Sequence, residues 1–246
     1  MTMTNRFLAV SIFPLMFCGF SAAAQTPCPV ALQRAQKNLQ DWPDLARYRA
    51  ADKKLESVKA ENRVVFLGDS ITDGWGRRKG SVFFPGKPYL NRGISGQTTP
   101  QMLVRFQQDV VDLKPKVVVI LAGTNDIAGN TGPSTNKQIE DNFKSMVAIA
   151  KQNHIKVVLA SLTPARAYPW RPGVHPVQRI LALNAWIKQE AAQNGLVFLD
   201  YFSAMAGSQD GMKPDLTVDG VHPNAKGYRV MAPLAEKAIR KALNQN

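Results

Sequence analysis

Five short runs rich in valine, isoleucine and leucine recur along the chain, and their spacing limits the fold more than any other feature. They are Val64–Leu67, Tyr89–Ile94, Val117–Ala122, Val157–Leu162 and Val197–Leu199. Most are continuously apolar rather than alternating, as strands covered on both faces should be. Between them lie segments with helical spacing. Leu103, Phe106, Val110 and Leu113 form one stripe, and Ile139, Phe143, Met146, Val147 and Ala150 a second. Val177, Ile180, Leu181 and Ile187 form a third, while Met231, Leu234 and Ala238 mark a closing helix. Leu45, Tyr48, Leu55 and Val58 mark one more before the first strand. This alternation predicts a parallel sheet with helices on both faces, and no repeat or linker divides it. In such sheets ligands gather outside the carboxyl ends of the strands.

The start of the chain reads differently. Arg6 precedes an apolar run from Phe7 to Phe20, interrupted by Pro14, and Ala22-Ala23-Ala24 then offers a small-residue cleavage site. That layout predicts a secretory signal peptide over residues 1–24, with residues 25–246 as one exported domain, periplasmic or secreted, and no stable membrane insertion after cleavage. Phe17 precedes Cys18 and Pro27 precedes Cys28, so neither cysteine has the small neighbour expected of a lipid-anchored one. Cleavage would leave Cys28 alone, and one cysteine cannot staple a fold. The net charge of +13 is scattered, with "GRRKG" (Gly76–Gly80) its densest point. A basic exported protein facing anionic envelope polymers accounts for it better than nucleic-acid binding does, and no nucleic-acid partner is expected.

The residues that follow each run are small and polar. They are Gly68-Asp69-Ser70, "RGISGQTT" (Arg92–Thr99), "AGTNDIAGN" (Ala122–Asn130), "SLTPARAYPWRPGVHP" (Ser161–Pro176) and "VDGVHPNAKG" (Val218–Gly227). Any one of these is ordinary turn chemistry. Together they bring a hydroxyl, an amide, a carboxylate and an imidazole to one edge of one sheet, which are the parts of nucleophilic acyl transfer.

"GDSIT" at Gly68–Thr72, Gly93 in "NRGISG", "GTND" at Gly123–Asp126 and "DGVHP" at Asp219–Pro223 resemble the four blocks of the SGNH, or GDSL, hydrolases, in the family's order. The resemblance implies a three-layer α/β/α sandwich with a five-stranded parallel sheet of flavodoxin-like type. It implies Ser70 as nucleophile, His222 as base and Asp219 as the orienting acid. The amides of Ser70 and Gly93, with the Asn125 side chain, would form the oxyanion hole.

The chemistry agrees with those residue types. A serine hydroxyl needs an imidazole to take its proton, and the other ring nitrogen needs an acceptor to fix the tautomer. Asp219 stands three residues before His222, so one turn of chain can join them. The chain has three histidines, and His154 and His175 lack an acid at such spacing. Ser95 is flanked by Gly93 and Gly96, but Gln97 stands where a nucleophile elbow needs its last glycine. Asp69 and Asp126 are expected to bond local backbone amides. No pattern of metal ligands and no phosphate-binding loop appears, so neither metal nor cofactor is expected.

Trp75, Tyr168 and Trp170 are candidate substrate contacts, the last two in a proline-stiffened loop, and Arg77 and Arg78 flank the first. The leading expectation is an exported serine esterase cleaving short acyl groups, acetyl foremost, from carbohydrates or other polar alcohols. A lysophospholipase or acyl-thioesterase would use the same residues. A noncatalytic binder of polysaccharide or another polyanion leaves the clustered site parts unexplained.

Overall fold

The five apolar runs form one parallel sheet. In a computed structural model that describes residues 29–55 and 60–245, the strands are β1 (Val64–Gly68), β2 (Tyr89–Gly93), β3 (Val117–Leu121), β4 (Lys156–Ala160) and β5 (Val197–Leu199). Their spatial order is β2-β1-β3-β4-β5, and every pairing is parallel. The expected signal segment, Cys28 and Val58 lie outside the described residues.

Residues of β1 and β3 are buried throughout because each face of the sheet meets a different set of helices. Val65, Leu67, Val118 and Ile120 point to one core, with Phe143 and Met146 of α7 (Asn136–Gln152) and Ile180, Leu183 and Ile187 of α8 (Val177–Gln193). Val64, Phe66, Val117 and Val119 point to the other, under Tyr228, Met231, Ala235 and Ile239 of α10 (Ala225–Leu243). The result is the three-layer α/β/α sandwich with five parallel strands.

Helix stripes were shifted at particular places. In α8 it is Leu183, not Leu181, that is buried beside Ile180 and Ile187. The stripe from Leu103 to Leu113 is broken into α4 (Thr99–Val104), α5 (Phe106–Asp109) and a single turn at Val111–Leu113. The break falls at Arg105, whose side chain is wholly buried and holds backbone from two strands, as described below.

Ahead of the sheet, α1 (Pro29–Gln40) and α2 (Ala46–Leu55) are joined by a short segment. Tyr48 of α2 donates its hydroxyl to Gly93 O, and Arg92 pairs with Asp52 while lying over the Tyr48 ring. These contacts cover the exposed side of β2, the edge strand.

In strand order, the chain turns outward from β1 in opposite directions to β2 and to β3. That reversal leaves a crevice at the strand carboxyl ends between β1 and β3.

Candidate active site

Ser70 opens a one-turn helix, α3 (Ser70–Asp73), directly after β1. Asp69 caps it, its Oδ1 accepting the N–H of Ile71 at 2.9 Å. A buried sheet therefore fixes the position of Ser70 while its side chain stays within the crevice.

The Ser70 hydroxyl lies 2.9 Å from His222 Nε2. His222 Nδ1 lies 2.7 Å from Asp219 Oδ2. The other Asp219 oxygen accepts the backbone N–H groups of His222 at 2.8 Å and Val221 at 3.0 Å. Partial burial works to raise the Asp219 carboxyl, but those N–H donors and the ring outweigh it and hold the carboxyl below the usual range. Asp219 thus stays ionised and keeps Nδ1 as the protonated ring nitrogen, leaving Nε2 to accept from Ser70.

The loop carrying both residues is tied to itself. Thr217 Oγ1 donates to His222 O at 2.8 Å and accepts the N–H of Gly220 at 2.9 Å, and Val218 N–H bonds His222 O at 3.0 Å. Gly220 carries a positive φ of 86°, the left-handed conformation that closes this tight turn; the space around it is open, so glycine is favoured there by its backbone freedom alone.

The oxyanion-hole expectation needs a correction at Gly93. Its N–H is already donated to Asn91 Oδ1 at 2.9 Å. A Cβ there would sit 2.1 Å from Asp73 N, so Gly93 is needed to let β2 approach α3. Gly96, three residues on, lines the cavity with Ser70 and has a φ of 81°. The N–H groups of Gly96 and Ser70 donate to no described residue. Asn125 is buried at the same cavity, with Nδ2 3.0 Å from Gln97 O and 3.2 Å from Asp69 Oδ2. Asn130 Nδ2 donates to Asn125 Oδ1 at 2.8 Å, which fixes the orientation of that amide.

Asp69 and Asp126 are both buried. Burial pushes the Asp69 carboxyl up to about 7, opposed by the Ile71 N–H. Burial also raises Asp126, opposed by the hydroxyl and N–H of Thr99 that it accepts. Neither contacts Ser70 or His222 through a hydrogen bond.

Beneath the site lies Arg105. Its guanidinium donates to Gly68 O at 3.0 Å, Arg92 O at 2.8 Å and Asp109 Oδ2 at 2.9 Å, and its Nε to Gln97 Oε1. One fully buried cation thereby joins the ends of β1 and β2 to the loop that carries Gly96. Nothing in its sequence neighbourhood marks this role.

The three aromatic candidates separate. Trp75 is 3% exposed and packs among Phe66, Phe84 and Tyr228, with Nε1 bonded to Val82 O, so it belongs to the core and not to the cavity. Tyr168 is 1% exposed; its ring lies under that of Trp170, centroids 5.1 Å apart, and supports it from behind. Trp170 is 38% exposed and 5.8 Å from the His222 ring, with Nε1 donating to Asn130 Oδ1 at 3.1 Å. Trp170 lines the cavity.

That cavity is open and has a volume of about 780 Å³. Arg78 and Arg171 contribute cations to its lining, Asp41 and Asp44 carboxylates, and Gln97 and Asn130 amides. Asp41, Trp42, Asp44 and Gln101 are lining residues outside the sequence candidates, because they stand on no strand end or lie beyond the small polar turns. A hydroxyl, an imidazole and a carboxylate in series, beside N–H groups that donate to no described residue, can carry a proton from an attacking alcohol and hold an oxyanion.

Residues 66–230 match the GDSL-like lipase/acylhydrolase family. The chain belongs to this family. A GDSL-like lipase of Bacteroides thetaiotaomicron is 44% identical and superimposes with a TM-score of 0.77, covering 81% of this chain and 98% of that one. An acetylxylan esterase of Xylanibacter ruminicola is 29% identical over 225 residues, which is 76% of this chain and 45% of that protein. The uncharacterized lipoprotein YqeF of Bacillus subtilis is 41% identical over 78 residues, 30% of this chain and 32% of that protein. The chain therefore spans under half the length of these two curated relatives.

Proposed function

We propose that this family member is an exported serine esterase that removes short acyl groups, acetyl foremost, from carbohydrate alcohols. Ser70 Oγ attacks the ester carbonyl as His222 Nε2 takes its proton. The N–H groups of Ser70 and Gly96 receive the oxyanion, and the Asn125 amide joins them by turning one Nδ2 hydrogen from its long 3.2 Å contact with Asp69 Oδ2 toward the charge. The imidazolium then gives its proton to the leaving alcohol, and an acyl-Ser70 ester remains. Water attacks that ester with His222 again as base, releasing the acid and restoring the hydroxyl. Asp219 orients the ring and stabilises its charged form.

The single observation that carries this reading is the Ser70–His222–Asp219 series of 2.9 and 2.7 Å contacts on the wall of an open cavity. Substrate class rests on the lining. Charges of both signs and several amides suit a neutral polyol better than an anionic phospholipid, and the mainly polar residues that line the cavity suit a short acyl group better than one of lipid length. The similarity to a protein named acetylxylan esterase supports the same class. Export rests on the expected leader over residues 1–24; among the described residues, no helix is long and apolar enough to cross a membrane.

The test is Ser70→Ala. Hydrolysis of p-nitrophenyl acetate should fall by at least about 10⁴-fold while the far-ultraviolet circular dichroism is unchanged. A folded variant retaining turnover within tenfold of the parent would exclude Ser70 as nucleophile.

A further inference from the structure

Residues 41–45 lie ahead of the stretch that matches the family, yet they build one wall of the cavity around Ser70. Three glutamines hold this strap by its backbone. Gln101 Nε2 donates to Trp42 O at 2.8 Å, Gln97 Nε2 to Pro43 O at 2.6 Å and Gln108 Nε2 to Leu45 O at 2.8 Å. Asp41 fixes the turn into α2, accepting the N–H groups of Leu45 at 2.8 Å and Ala46 at 2.9 Å. Pro43 removes one backbone freedom more. Gln97 is held in turn by the buried Arg105, so the strap is anchored to the same guanidinium that joins β1 and β2.

On this rigid strap Trp42 is 38% exposed and lines the cavity. The segment's conformation is fixed by backbone contacts and by Asp41. Core burial of the indole is incomplete, and a large apolar ring is left facing a wet, polar space. Trp170 is exposed to the same extent and lines the same cavity, supported by Tyr168 and its bond to Asn130. Two pre-positioned indoles in one cavity, with Thr131 and Asn130 among the polar groups lining it, match a ligand with both apolar C–H faces and hydroxyl edges. Sugar rings have that character. The volume of about 780 Å³ falls high in the range of roughly 300–1,000 Å³ for small-ligand sites. It exceeds what an acetyl group on a simple alcohol requires.

We propose that Trp42 is a binding platform for a sugar ring of the substrate, so that the site takes an acetylated oligosaccharide rather than an isolated acetyl ester. The proposal rests on the carbohydrate-ester reading above. Trp42 acts in binding the remote ring and takes no part in the proton transfers at Ser70.

Steady-state kinetics on an acetylated xylo-oligosaccharide and on p-nitrophenyl acetate test it, using wild type, Trp42→Ala and Trp42→Phe. Trp42→Ala should raise KM for the oligosaccharide about fivefold to tenfold, the loss of one stacked ring, with kcat much less affected. Its kcat/KM on the aryl ester should fall by a clearly smaller factor, and Trp42→Phe should recover most of the oligosaccharide KM. Equal losses on both substrates, or an unchanged oligosaccharide KM in a wild type that deacetylates it, overturn the platform and leave the esterase reading standing. A wild type that cleaves the aryl ester but no acetylated oligosaccharide overturns the carbohydrate reading, and the platform with it.

Discussion

Removing the buried cation beneath the site gives the sharpest test of how the crevice is built. In Arg105→Met the aliphatic length is kept and the guanidinium is lost. Asp109, wholly buried, then loses its ionic partner at 2.9 Å, and Gln97 Oε1 and Arg92 O each lose a donor. Gly68 O is less affected, because it also accepts the N–H of Ile94 at 3.0 Å. Breaking one side of a buried ion pair costs about 3–5 kcal/mol, since the remaining charge is left in a medium that solvates it poorly. For a chain of this size each kcal/mol moves the melting temperature by about 2–4 °C, so a drop of about 6–20 °C is expected. Urea unfolding followed by circular dichroism reads it as a lower midpoint at unchanged slope. Replacing both partners, Arg105→Met with Asp109→Leu, removes the stranded charge and should recover at least half the loss. Turnover should not recover in step, because Gln97 and the ends of β1 and β2 remain unanchored. A loss under about 1 kcal/mol in the single variant, or a double variant no more stable than the single, would refute the reasoning.

Asp69→Asn isolates a pH effect. Because burial raises the folded carboxyl from 3.8 to about 7, the folded state holds a proton that the unfolded chain releases over that window, and stability falls as pH rises through it. The Asn variant carries no such proton, so its unfolding free energy should drop less than that of wild type between pH 4 and pH 8, by a difference on the order of 4 kcal/mol at most; parallel curves of stability against pH would show that Asp69 does not titrate there. Trp75→Ala should cost about 3–5 kcal/mol in urea unfolding by opening a cavity among Phe66, Phe84 and Tyr228. A loss under about 1 kcal/mol would show that Trp75 is not a core residue.

The strands were legible because continuous runs such as Val117–Leu121 have no other use than a doubly covered position. The proximity of Ser70, Asp219 and His222 was legible too, since each follows or closes a strand–helix unit at the same sheet edge. What stayed hidden depended on contacts between distant residues. Gly93 and Gly96 look alike in "RGISG", and only the reach of the Asn91 side chain decides which amide is occupied. Trp75 sits between glycines and beside Arg77 and Arg78, a surface-like setting. Its partners Phe66 and Phe84 were the available signal, and they become neighbours only once β1 is covered. Arg105 sits within an amphipathic stripe, and its break in the helix follows from strands placed before it in the chain. Nothing local marks Trp42, because "DWPD" ends no strand.

Asp219 and His222 are stitched to each other and to Thr217, while Ser70 is mounted on the sheet. The two halves of the proposed machinery therefore rest on separate supports, a hydrogen-bonded loop and a buried sheet. Gentle warming that lets the Thr217–His222 loop drift as a unit would silence the protein while its strands stay intact, and cooling would restore it without any refolding. Thermal inactivation measured by turnover would then precede the loss of circular dichroism and be reversible in that interval.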